Sequence, residues 1–149
     1  MKILNCTGDR PFTILNITDV HAKLSYFTEG DPEGDALRYT VSELVKRSRP
    51  DLITFTGDMT TDDDREIYRL LAEYIDSFDI PWAPVLGNHD NQLGDAEAHA
   101  IGEILASQKN CLFEAGDPSL GCGNYTVGVQ LDSVAAMGLI FMDTHDSFR

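Results

Sequence analysis

The stretch Arg49-Pro50-Asp51-Leu52-Ile53-Thr54-Phe55-Thr56-Gly57-Asp58 decides the fold. Leu52 to Thr56 is a short apolar run closed by a glycine and an acid, the pattern of a strand buried on both faces of a parallel sheet. Upstream, Leu37, Val41, Leu44 and Val45 recur at i, i+4, i+7 and i+8, which is one face of a helix. Pro50 stands where that helix must stop. Earlier still, Thr13-Ile14-Leu15-Asn16-Ile17-Thr18 is rich in β-branched residues and predicts another strand. Strand, helix and strand in this order imply a right-handed crossover and a parallel sheet.

The cycle repeats downstream. Asp62-Asp63-Asp64 reads as the solvated cap of a second helix whose apolar face is Ile67, Leu70, Leu71, Tyr74 and Ile75. Trp82 to Leu86 predicts a third strand, and Pro84, which lacks a ladder donor, places itself at that strand's start or on an edge. Gly94-Asp95 opens a third helix with Ile101, Ile104 and Leu105 inward, and His99 falls on its surface. The segment from Thr28 to Asp35, with Gly30, Pro32 and Gly34, reads as a loop. The last third changes character: Cys111 to Glu114, Tyr125 to Val129 and Gly138 to Met142 read as strands with no helix between them.

The chain has 149 residues, 25 acidic and 11 basic, and a formal net charge of −14. The length suits one domain spanning residues 1–149. The negative charge disfavours nucleic acid and an anionic membrane surface as partners, because both are bound through Lys and Arg. It suits a protein that holds multivalent cations. No stretch is long and apolar enough to span a membrane, and Met1 to Thr7 has no leader-like apolar core. Three cysteines, with no Cys-x-x-Cys, argue against a disulfide framework or a zinc ribbon, and read as small hydrophobes. A reducing cytoplasm is the expected location.

Three polar clusters each follow a predicted parallel strand: Asp19-Val20-His21, Gly57-Asp58 and Gly87-Asn88-His89-Asp90. Ligands of open α/β sheets bind outside the carboxyl ends of the strands, so adjacent strands would bring these clusters to one rim. With 12 Gly, 6 Asn, 4 His and 17 Asp in the chain, Gly-Asn-His-Asp is expected about 0.0015 times by chance, whereas Gly-Asp alone carries no information. The residue types suit a two-metal centre. Asp19 and His21 can reach one ion where the chain bends, the Asp58 carboxylate can bridge two, and Asn88 offers a carbonyl oxygen to the second. Two ions about 3.5–4 Å apart clamp a phosphate and activate a water. His89 could protonate the leaving oxygen, and Asp90 could orient that imidazole.

At these residues the chain resembles the calcineurin-like metallophosphoesterases, whose motifs run Asp-x-His, Gly-Asp, Gly-Asn-His-Asp/Glu, a later His and a Gly-His-x-His. The resemblance covers roughly residues 12–145 and includes the connecting text from Arg49 to Asp58. It implies Asp19, His21 and Asp58 on one metal, Asp58 and Asn88 on the other, and His89 as the catalytic histidine. It implies two divalent or trivalent ions (manganese, iron or zinc) and an α/β fold, part of a four-layer α/β/β/α sandwich with a mostly parallel first sheet and helical crossovers. The activity it implies is metal-dependent hydrolysis of phosphate mono- or diesters, on a small phosphate-ester substrate.

Two departures matter. Thr61 occupies the position where the purple acid phosphatase branch carries a Tyr ligand, so a tyrosinate–ferric pair is not expected. No Gly-His-x-His occurs, and His145, after the last strand, lacks the spacing of either later motif. The expectation is therefore that this chain is the N-terminal part of a longer phosphoesterase and carries the first half of its site. Apolar faces and strand edges would then be uncovered, and association with a second copy is an expected way to cover part of them. The alternatives are a non-catalytic, phosphoesterase-like binding or scaffold module with an incomplete metal site, and a flavodoxin-like domain whose acids are plain strand-end caps. The acidic segment from Ser25 to Asp35 argues against a polyanionic substrate.

Overall fold

The computed structural model of the chain describes residues 1–62 and 64–144. Its elements run β1 (Lys2–Cys6), β2 (Ile14–Ile17), α1 (Pro32–Ser48), β3 (Leu52–Thr56), α2 (Arg65–Asp76), β4 (Trp82–Val85), α3 (Asp95–Ala106), β5 (Tyr125–Leu131) and β6 (Val134–Phe141). One sheet has the order β2-β3-β4 and is parallel throughout. The other has the order β1-β5-β6, with β1 parallel to β5 and β5 antiparallel to β6. The α/β class, with a parallel first sheet and helical crossovers, is as the sequence predicts.

Local chemistry explains the helix ends. Asp31 caps α1 by accepting from the Gly34 amide, Pro32 sits in the first turn, and Arg49 closes the helix in the left-handed region at φ 46°. Residues 32–35 are thus the first turn of α1 and not loop. Acids, Pro and Gly resemble a loop by composition, yet a capping acid, Pro at the start and acids in the first turn are what a helix N-terminus favours. Gly34 also lets α1 close on a short turn, Leu24–Phe27, since a Cβ there would lie 2.6 Å from the Tyr26 carbonyl carbon. Asp64 caps α2 by accepting from the Glu66 amide, while Asp63 lies outside the described residues.

The core lies where α2 and α3 cover β3 and β4. Phe55, Tyr68, Leu71, Ile75, Trp82 and Leu105 enclose one apolar cluster. Phe55 meets Trp82 edge to face at 6.3 Å, and the indole N–H donates to Asp76 at 2.9 Å. Asp76 also accepts from the Asn110 amide at 2.8 Å, so the buried Trp is satisfied and the segment after α3 is tied down. Tyr68 faces inward on α2 although the sequence-derived stripe omits it, whereas Leu70 and Tyr74 are half-buried and Leu44 is exposed.

The two sheets are tied at Pro84. It lies within β4, on the edge of its sheet among the described residues, as its missing donor requires. Its carbonyl accepts from the Tyr125 hydroxyl at 2.6 Å, and the Tyr125 ring stacks on Phe141 at 4.8 Å.

Three readings are corrected. Lys2–Cys6 is a strand that the sequence does not announce, because Lys2 and Asn5 interrupt its apolar pattern and its partner β5 is remote in the chain. Cys111 to Glu114 is not a strand: Cys111 makes a single bridge to Trp82. His99 is half-buried on α3 and not a surface residue. Cys6, Cys111 and Cys122 are free, and burial pushes the Cys111 thiol up to about 12 and the Cys122 thiol to about 11. No helix among the described residues is long and apolar enough to cross a membrane.

Phe55→Ala is expected to lower unfolding stability by about 3–5 kcal/mol, because the cavity it opens lies among residues that cannot collapse into it. Ile140→Ala, at a side chain 72% exposed, is expected to stay within about 0.5 kcal/mol of the parent. Denaturant titration of both variants checks the pair.

Candidate metal centre

Because β2, β3 and β4 are parallel, the three motif loops leave the sheet at one rim. Backbone pairing continues past the strand ends: the Asp19 amide donates to the Gly57 carbonyl at 3.2 Å, His21 to Asp58 at 3.0 Å and Ala22 to Met59 at 2.9 Å. Asp19, His21 and Asp58 all lie in the left-handed region, at φ 54°, 46° and 51°. Non-glycine residues there cost about 1–3 kcal/mol each, and they persist where the surroundings over-determine them, as ligand clamps do. The second and third loops touch through glycine. A Cβ on Gly57, itself at φ 89°, would lie 2.8 Å from the Cα of Gly87. A Cβ on Gly87 would collide with the Asp58 carboxylate and amide. No larger residue fits either place.

These bends bring His21, Asp58 and His89 together, with one donor atom from each within 4.8 Å of the others. Nε2 of His21 is 3.8 Å from Oδ2 of Asp58, the two imidazoles meet edge to face at 5.1 Å, and the His89 amide donates to Oδ1 of Asp58 at 3.0 Å. Asp58 also lines a cavity of about 350 Å³ with Asp19, Asn88, Gly87, Met142 and Thr144. Asp58 is therefore the residue shared by the histidine cluster and the cavity. The His21 imidazole, the Asp19 and Asp58 carboxylates and the Asn88 amide oxygen are a nitrogen and oxygen donor set that fits divalent metal ions. His145 lies outside the described residues.

Asp90, expected to orient the His89 imidazole, accepts from three other groups. It is buried. It accepts from the Gly87 amide at 2.8 Å, the Met59 amide at 3.1 Å and the Tyr68 hydroxyl at 2.7 Å. Burial pushes the Asp90 carboxyl up, and these donors pull it back. The two loop amides need an acceptor once the loops close on each other. Asp90 thereby staples the second loop to the third. The group that reaches the His89 ring is Gln92.

Sequence reasoning also missed Asn91 and Asp143, both buried. The Asn91 amide nitrogen donates to the Gly87 carbonyl at 2.9 Å and to Asp143 at 3.0 Å, and Asp143 accepts from the Cys122 amide at 3.2 Å. This joins the third loop to the end of β6. Asn91 adjoins the motif and could have been suspected, whereas nothing local marks Asp143 or Tyr68.

Asp90→Asn replaces two acceptor oxygens with one and sets an NH2 against existing donors. The expected loss is about 1–3 kcal/mol for each donor left without an acceptor. Tyr68→Phe, which removes a single donor, is expected to cost about 1 kcal/mol. Equal losses in the two variants, measured by urea titration, would show that Asp90 is not a staple.

The model of the family described as calcineurin-like phosphoesterase matches residues 12–137. A protein of Arabidopsis thaliana named probable inactive purple acid phosphatase 28 is 31% identical, over 96% of this chain and 44% of its own length. A protein of Moraxella catarrhalis named probable cyclic nucleotide phosphodiesterase is 32% identical, over 70% of this chain and 35% of its own. Phosphatase DCR2 of Saccharomyces cerevisiae is 28% identical, over 93% of this chain and 28% of its own. The chain thus spans less than half the length of these relatives. A family match over most of the chain, in a span that includes the three loops of this centre, shows that the chain belongs to the calcineurin-like phosphoesterases.

Proposed function

We propose that this chain carries the metal-binding core of a phosphoesterase that hydrolyses small phosphate esters. The observation that carries the reading is the convergence of His21, Asp58 and His89 beside a cavity that also holds Asp19 and Asn88. Asp19 and His21 would hold one ion with Asp58, and Asn88 would hold a second with the same carboxylate. Ions held there supply Lewis-acid chemistry, neutralising phosphoryl charge and making water a better nucleophile. Asp58 fixes the third loop through the His89 amide, so the ligand loop and the histidine move together. His89 presents an N–H to the oxygen that departs. Water attacks phosphorus, the ester P–O bond breaks, and the leaving oxygen ends with a proton supplied overall by that water.

The acidic segment before and in the first turn of α1, with the net negative charge, favours a small ester over a polyanion. Glu29, Asp31, Glu33 and Asp35 crowd the start of α1, and the net charge is −14. A second reading, a binding module without turnover, draws on the relatives whose names call them inactive.

Protein stripped of metal and reloaded with manganese, zinc or iron is expected to hydrolyse an aryl phosphate mono- or diester. Asp58→Asn is expected to abolish both metal retention and turnover, and a chelator to abolish turnover. Metal retention without hydrolysis of either ester, with all three metals tried, would overturn the enzyme reading in favour of the binding module.

A further inference from the structure

The Gln92 side chain stands against the His89 ring. Its amide nitrogen is 2.5 Å from Nδ1 of His89 and 3.2 Å from the His89 backbone carbonyl oxygen. The second contact settles the first. A carbonyl oxygen only accepts, so the Gln92 group facing it must be the NH2 and not the amide oxygen. The same NH2 then meets Nδ1, which must offer a lone pair. In the neutral ring the proton is therefore on Nε2.

We propose that Gln92 is a positioning residue that holds His89 as the neutral Nε2–H tautomer, with Nδ1 engaged and Nε2 free to donate. For what the ring then serves, this rests on the hydrolase reading above. Two consequences follow from the proton's place. A protonated Nε2 has no lone pair, so His89 is a donor toward phosphate oxygens and not a third metal ligand beside His21 and Asp58. Full release of that proton from a neutral ring would leave an imidazolate. His89 thus stabilises charge on the departing oxygen by hydrogen bonding, and becomes an acid only if Gln92 turns its oxygen to Nδ1. The residue expected to orient the imidazole, Asp90, is occupied with the Gly87 and Met59 amides. Gln92 fills that role from three residues past His89.

The test is imidazole nitrogen NMR on metal-free, nitrogen-15-labelled protein at about pH 9, where ordinary imidazoles are neutral. In the parent, His89 is expected to show Nδ1 unprotonated, Nε2 protonated, and a scalar coupling across the hydrogen bond from Gln92 Nε2 to His89 Nδ1. A free imidazole already favours Nε2–H, so the decisive readout is reversal. Gln92→Glu offers only acceptors and is expected to move the proton to Nδ1. Gln92→Ala is expected to abolish the coupling. Gln92 is exposed, so both variants should keep the parent's backbone amide spectrum outside residues 87–94. A protonated Nδ1 in the parent, or a Gln92→Glu variant with the parent's tautomer, overturns the proposal. The expected spectra in a protein that hydrolyses no ester would support the Gln92 assignment and sink the hydrolase reading alone.

Discussion

One buried carboxylate holds the centre together. Asp90 gathers the amides of Gly87 and Met59 and the hydroxyl of Tyr68. Remove the two oxygens and two backbone donors are buried with nothing to accept from them. The second and third motif loops would then have to separate far enough to admit water, and the Gly57–Gly87 contact would open. Asp58 and the His89 amide lie on the two sides of that contact. The ligand geometry therefore follows from the staple, and the staple is affordable only because Tyr68, on α2, brings its hydroxyl into the core.

The same loops are braced from the other sheet. Tyr125 reaches the Pro84 carbonyl just before the third loop begins, and Asp143 reaches Asn91 just after the Gly-Asn-His-Asp run ends. Each tie uses a group that its own sheet leaves available. Pro84 has no N–H but a full carbonyl, and Asn91 has an amide with two donors. With β6 ending at the cavity through Met142 and Thr144, the candidate site sits at the seam of the two sheets and not on one of them.

Three strained residues meet at this seam. Asp19, His21 and Asp58 accept left-handed backbone conformations, which the paired carbonyls and amides of the β2 and β3 loops enforce. Such conformations spend stability to aim side chains, a use that a cation held between them would recover. Elsewhere the acids do ordinary work: Asp31 and Asp64 cap helices, and Glu97 pairs with Arg65 on the surface. The net charge of −14 is thus mostly solvated surface, with a small part turned to the centre.

Periodicity and spacing were enough to determine the parallel β2-β3-β4 sheet, its three helices and the three loops that carry Asp19, His21, Asp58, Asn88 and His89. Those features depend on residues near each other in the chain, where apolar period, caps and glycines leave a readable trace. Three things were decided only by the tertiary structure: β1 as a strand, the staple role of Asp90, and the pairing of Gln92 with the His89 ring. The first depends on β5, a partner far along the chain. The second depends on which amides the closing loops leave without acceptors. The third depends on that outcome, because once those amides occupy Asp90 the imidazole must take its partner from three residues further on. A sequence states which groups can bond; the closing of the loops decides which of them do.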